Sequence, residues 1–140
     1  MSIFITIITG VVVFVLSQFC LKILIEPVVS LKNTFGEISA LFLREQRKIT
    51  NASASEEVQE KIWALSASLM ATSTSIPFYK KISCFINLPS EENISNACGS
   101  LNLIAYEVVK SNKANYIQIT DNMKKIAKML NIKTEYGQIS

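Results

Sequence analysis

The sequence predicts an all-α protein: an N-terminal transmembrane helix followed by a cytoplasmic bundle of four to five helices. Three observations predict it. Residues 1–21 hold no charged side chain and are apolar almost throughout. Beyond them, apolar residues recur at three- and four-residue spacing, the period of a helix with one buried face. Strand-like alternation is confined to short runs, chiefly Tyr116-Ile117-Gln118-Ile119-Thr120, which is the main rival to a helix there.

The first element is the span, residues 1–26. About twenty helical residues, at a rise of about 1.5 Å each, cross the hydrocarbon core of a bilayer, which is about 30 Å thick. A cleaved signal peptide needs a basic start, a shorter apolar run and a small-residue cleavage site. Here no Lys or Arg precedes Lys22, and the run closes in Leu21-Lys22-Ile23-Leu24-Ile25. A buried helix of a soluble domain carries a polar face, which this segment lacks. Lys22, Lys32, Arg44, Arg47 and Lys48 all follow the apolar run. The positive-inside rule then expects the N-terminus outside and residues 27–140 in the cytoplasm. Within the span, Thr6 and Gly10 form a small-xxx-small pair and Gln18 offers a polar group. These are the candidate residues for self-association in the membrane. The competing reading is that hydroxyls bond back to their own helix and Gln18 lies near the interface.

Glu26-Pro27 predicts a break or kink at the membrane surface, since proline suits a first helical turn and disfavours helix before it. Residues 28–50 then read as a juxtamembrane amphipathic helix, with Val28, Leu31, Phe35, Ile38, Leu41, Phe42 and Ile49 on one side. Its acidic residues favour packing on the domain over lying on anionic lipid. The remaining helices occupy residues 54–134. Ser53 and Glu56 fit a capping box. Val58, Ile62, Leu65 and Leu69 form the next stripe, with Trp63 and Met70 beside it. Residues 64–75 are mostly Ala, Ser and Thr, which suits a tightly packed helix face better than a hydroxyl-lined pocket. Pro77 marks the first turn of a short helix ending at Phe85 or Ile86. A helix from about Glu91 to Val109 follows, with Ile94, Ala97, Cys98, Leu101, Ala105 and Val108 on one face. Ser111-Asn112-Lys113 reads as a loop. The last helix covers residues 114–130 with Tyr116, Ile119, Met123, Ile126 and Leu130 as its stripe, Asn131 as C-cap, and a frayed tail from Thr134.

Composition excludes several chemistries. The chain of 140 residues has no histidine, which removes His-based metal sites and Ser–His or Cys–His nucleophiles. Its three cysteines, Cys20, Cys84 and Cys98, form no CxxC pair and read as reduced, buried thiols. The glycines are isolated, so no phosphate-cradling loop is expected. Glu56-Glu57 and Glu91-Glu92 stand at helix starts, where the helix dipole explains them. No catalytic residue, cofactor or metal site is expected, and the chain does not read as an enzyme. The one charge asymmetry is a run of lysines near the C-terminus. Lys110, Lys113, Lys124, Lys125 and Lys128 are the candidate face for a nucleotide or an anionic lipid, against the plainer reading of a solvated face. Arginine is absent from this group, and DNA is not expected as a partner. The triplets Asn51-Ala52-Ser53 and Asn93-Ile94-Ser95 match glycosylation acceptors that stay silent in a cytoplasmic domain.

Leu24-Ile25-Glu26-Pro27, Leu31-Lys32, Gly36-Glu37-Ile38, Ser75-Ile76-Pro77-Phe78-Tyr79, and Leu88-Pro89-Ser90 with Ile94 follow one another in this order over most of the chain. In this the chain resembles a group of small bacterial single-pass inner-membrane proteins with no assigned function. The resemblance implies a helical protein anchored in the bacterial inner membrane, and supplies no activity or site residues. The expected role is a membrane-anchored interaction protein that gathers a protein partner, or its own copies, at the cytoplasmic face. The alternative is a nucleotide-gated membrane effector of a stress or phage-defence system, which would oligomerise and perturb the bilayer.

Overall fold

The computed structural model describes residues 1–110 and 116–136, and every regular element among them is helical. Helix α1 (Ser2–Cys20) passes through a π-helical turn, Leu21–Ile25, straight into α2 (Glu26–Arg44). Of the break or kink expected at Glu26-Pro27, the break does not occur: residues Ser2–Arg44 form one continuous helix, with a π turn just before the proline. The proline is accommodated upstream. Pro27 has no N–H to donate, and its ring crowds the carbonyl four residues earlier. In the wider π turn the Glu26 N–H reaches back five residues to the Leu21 carbonyl, so the helix absorbs the proline without ending.

The two halves of this helix differ in what surrounds them. No residue of α1 is buried. In α2, Leu31, Thr34, Phe35, Ile38, Leu41 and Phe42 are buried along one face, as the amphipathic pattern requires. The helix closes at Arg44, earlier than its apolar pattern suggests, because Glu45 leaves the helical conformation. Glu45 ties this corner together, contacting Arg44 at 3.3 Å and Lys48 at 2.8 Å. Its hydrogen bond to Lys48 is the main reason its carboxyl sits below the usual range. The short α3 (Gln46–Thr50) carries Ile49 into the core.

The expected capping box does not form. The N-cap of α4 (Glu56–Thr74) is Ser55, with no side-chain cap bond. Ser53 instead belongs to the exit of α3. Ala52 is left-handed (φ 48°) and the Ser53 N–H donates to the Lys48 carbonyl at 2.9 Å. Asn87 (φ 54°) repeats this arrangement after α5 (Tyr79–Phe85), with Leu88 N–H on Ser83 O. Asn131 (φ 55°) repeats it after α7 (Tyr116–Leu130), with Ile132 N–H on Ala127 O. Each is a six-to-one closure that satisfies an orphan carbonyl and turns the following residue back toward the domain.

Helices α4 and α6 (Glu91–Glu107) run antiparallel. Ala54 N–H donates to Val108 O at 3.2 Å, Gln59 Nε2 to Ala105 O at 2.8 Å, and Ser66 Oγ to Cys98 O at 3.2 Å. The expected stripes form the observed core, with Val58, Ile62 and Leu69 buried together with Ile94, Ala97, Cys98, Leu101, Ala105 and Val108, while Leu65 is only partly buried against it. Trp63 and Met70 remain exposed. Helix α7 closes the core with Ile119, Met123, Ile126 and Leu130, and the Tyr116 segment is helical rather than strand, with Tyr116 itself exposed.

Two smaller expectations are corrected. Pro77 is not in the first turn of α5; it lies before Phe78, the left-handed N-cap (φ 55°). The tail is not frayed at Thr134, which is fully buried with its hydroxyl on the Met123 carbonyl at 3.4 Å. Ser39 of α2 donates to the Lys133 carbonyl, so the exit of α7 is stitched to α2.

Candidate functional site

The strongest functional feature is α1 itself, the one helix among the described residues long and apolar enough to cross a membrane. Its small and polar residues are segregated. At 100° per residue, Ser2, Thr6, Thr9, Gly10, Ser17 and Cys20 fall within an arc of about 100°, shared in α1 only with Val13. The remaining surface is Ile, Val, Leu and Phe, apart from Gln18. Thr6 Oγ1 donates to Ser2 O at 2.8 Å and Ser17 Oγ to Val13 O at 2.7 Å. These hydroxyls are satisfied within their own helix, so the arc presents a smooth, low surface. At Gly10 an added Cβ would meet nothing within 4 Å. Thr6 and Gly10 therefore share a face, while Gln18 lies about 120° round from Thr6.

The lysine face divides. Lys110 contacts Glu107 Oε1 at 3.4 Å and stands 3.4 Å over the Tyr106 ring. Its pKa is raised, chiefly by the hydrogen bond with Tyr106. It is thus held by its own helix end. Lys124, Lys125 and Lys128 are exposed on α7 and form no ion pair among the described residues. Lys113 lies outside the described residues.

A cleft of about 820 Å³ opens between α2, the loop of residues 87–90 and the end of α7. Phe35, Leu88, Met129 and Ile132 give it an apolar floor, and Lys32 and Lys133 stand at its walls. The periodicity of the sequence did not reveal this cleft. Its walls come from segments nearly a hundred residues apart, brought together by the Ser39–Lys133 bond and two left-handed helix exits.

Three groups with chemical potential, Tyr79, Glu57 and Cys98, are held by neighbours in the fold. The Tyr79 hydroxyl donates to Pro89 O at 2.7 Å. Burial, with help from the Glu91 charge, pushes its pKa up to about 12. Glu57 is paired with Lys61 at 2.5 Å, and that hydrogen bond holds its carboxyl low. Cys98 is buried, its thiol pKa raised by desolvation and its Sγ 3.5 Å from the Ser66 carbonyl. Ser66 and Ser73 likewise lie buried in the packed face of α4. The expectation of uniformly buried thiols holds for Cys98 and fails for Cys20 and Cys84, both of which are exposed; Cys84 lies outside the span. Cys84 falls on the outer side of α5, away from the buried Tyr79 and Ser83. Among the described residues no cluster of three or more Cys, Asp or Glu is arranged to hold a metal ion. No family model, curated protein or solved structure matches the chain.

Proposed function

We propose that this chain is a non-enzymatic, single-pass membrane protein that gathers a protein partner, or further copies of itself, at the cytoplasmic face of a bacterial inner membrane. The observation that carries the reading is one helix with two environments. Its first half buries nothing and its second half builds the core of the domain. Such a helix suits lipid around α1 and protein around α2. The segregated small-residue arc supports self-association, because small residues let helix backbones approach closely within a bilayer. The basic residues after the apolar run support a cytoplasmic domain.

Cys20 lies on that arc and is exposed, so it reports the contact directly. In a Cys84→Ala background, mild oxidation of membranes is expected to give a disulfide-linked dimer through Cys20. Gly10→Leu is expected to reduce that dimer severalfold by holding the helices apart. Chemical crosslinking in membranes and recovery of the tagged chain extend the test to other proteins. Recovery of monomer alone, with no near-stoichiometric partner, would remove the reading.

The exposed lysines of α7 favour a second reading, in which a nucleotide ligand gates assembly and the spans perturb the bilayer. Thermal-shift screening of the full chain in detergent against cyclic and linear nucleotides checks it. A stabilisation abolished by Lys124→Ala with Lys128→Ala is its expected signature.

A further inference from the structure

We propose that the end of the bundle nearest the span, centred on α5, docks onto the anionic surface of the same bilayer through Phe78, Lys80, Lys81 and Phe85. This rests on the reading of α1 as a membrane span.

The first observation is height. The apolar stretch ends at Ile25, and α2 enters the core at once: Val28 packs against it and Leu31 is fully buried. Six residues of helix from Ile25 to Leu31 span about 9 Å. The headgroup layer on each side of the hydrocarbon is about 5–8 Å deep. The domain therefore stands against the headgroups with no spacer.

The second observation is which end faces down. The antiparallel bonds between α4 and α6 put Ala54 beside Val108 at one end of the pair. At the other end Ser73 and Thr74 share a hollow with Tyr79, Lys80, Lys81 and Glu91. The Tyr79–Pro89 hydrogen bond ties α5 to the loop that borders Lys32 and Phe35. Those α2 residues are within about three turns of the span's end. So α5 caps the bundle on the side from which the span leaves.

The third observation is what α5 presents. Tyr79 and Ser83 turn inward, while Lys80, Lys81, Cys84 and Phe85 turn outward. Phe85 is 91% exposed and Phe78 77% exposed. Phe78 is also left-handed, a conformation uncommon for a bulky aromatic and costly in itself. In water, this arrangement strains the backbone and leaves a ring unburied. At a membrane interface both rings gain an apolar environment. Lys80 and Lys81 form no ion pair among the described residues. With Lys22 and Lys32 they outnumber Glu26, Glu91 and Glu92 at this end, which fits an anionic leaflet.

Cys84 is a native reporter in the middle of this face. The full chain, with Cys20→Ala and a small fluorophore on Cys84, is reconstituted in phosphatidylcholine vesicles containing phosphatidylglycerol. Nitroxide lipids labelled at headgroup level are expected to quench the probe. Aqueous iodide is expected to quench it several times less than a probe placed at Arg47→Cys in a Cys84→Ala chain, on the far side of the domain. Replacing Lys80 and Lys81 together by Glu is expected to shift docking toward water by at least about twentyfold, since each lysine near an anionic surface is worth about fivefold. Both side chains are exposed, so helix content and the unfolding midpoint in detergent should be unchanged by that variant. A probe at Val12→Cys, quenched by deep nitroxides, reports the span separately. Equal iodide access at positions 84 and 47, with residue 12 still in lipid, overturns the docking while leaving the span intact. Loss of deep quenching at residue 12 overturns the span and the docking with it.

Discussion

Helices α1 and α2 are each 19 residues long and belong to one unbroken rod, yet they obey opposite rules. In α2 the large apolar residues turn inward and the charges turn out. In α1 the large apolar residues cover most of the circumference, and the small ones collect on a single side. The difference teaches that amphipathicity is defined by solvent. Against water, a helix hides its bulk. Against lipid, the environment proposed for α1, it would hide only what a neighbouring helix can approach closely.

The sharpest way to break this comparison is to truncate one phenylalanine in each half. Phe42 is fully buried in α2, so Phe42→Ala is expected to cost about 3–5 kcal/mol of domain stability. Phe14→Ala in α1 is expected to leave it unchanged. Denaturant unfolding of the full chain in mild detergent measures both, and similar losses at the two positions would erase the distinction.

A charge tests the other half. Val12→Lys places an ammonium near the middle of the proposed span, and its insertion is expected to weaken by about 2.5–3.5 kcal/mol. Glu37→Lys on the exposed side of α2 should leave insertion intact. A membrane-insertion assay with a glycosylation reporter separates the two.

Tyr79 gives a smaller and pH-dependent effect. Losing its hydrogen bond in Tyr79→Phe is expected to cost about 1 kcal/mol at neutral pH. The folded state raises the tyrosine's pKa from 10.0 to about 12. A raised value means the folded state holds the proton more tightly, so its contribution is intact below pH 10 and fades as pH climbs toward 12. The gap between wild type and Tyr79→Phe should therefore narrow over that interval in urea titrations. A constant gap would place the hydroxyl in water.

The smallest effect on stability concerns the junction. Pro27→Ala restores an N–H and removes the crowding that the π turn relieves. The turn is expected to tighten to α-helix with under about 1 kcal/mol of change. The visible result is rotational: α1 should turn relative to α2, measurable as a shift in which α1 position gives the most efficient cysteine crosslink.

Much of the fold was legible in the residues because helical periodicity is a repeated signal. Spacing alone marks most of the buried stripes of α4, α6 and α7, with Leu65 and Tyr116 as exceptions, and marks Asn131 as the end of α7. What escaped were single-residue decisions. The capping-box spacing favours Ser53, with Glu56 three residues on, over Ser55, and the structure starts the helix after Ser55. The backbone contact of Ala54 with Val108, more than fifty residues away, anchors this entry. The local rule for Pro27 says break or kink, but a wider turn relieves the same clash while the helix continues. Phe78 carried no signal, since left-handed phenylalanine is not a pattern that sequence spacing encodes. The cleft between α2 and α7 was likewise invisible, because loops whose placement depends on the finished core supply its walls.

The unbroken junction between α1 and α2 also has a mechanical consequence. A flexible linker would let the domain ignore how its anchor leans. A helix that continues through the junction acts as a lever. With α2 of 19 residues, about 28 Å long, a tilt of about 20°, usual for helices in bilayers, carries the far end roughly 10 Å sideways. On the proposed arrangement, a thinner or thicker bilayer changes that lean. The corner around Glu45 would then sweep laterally over the membrane, and the rod would behave as a gauge of bilayer thickness.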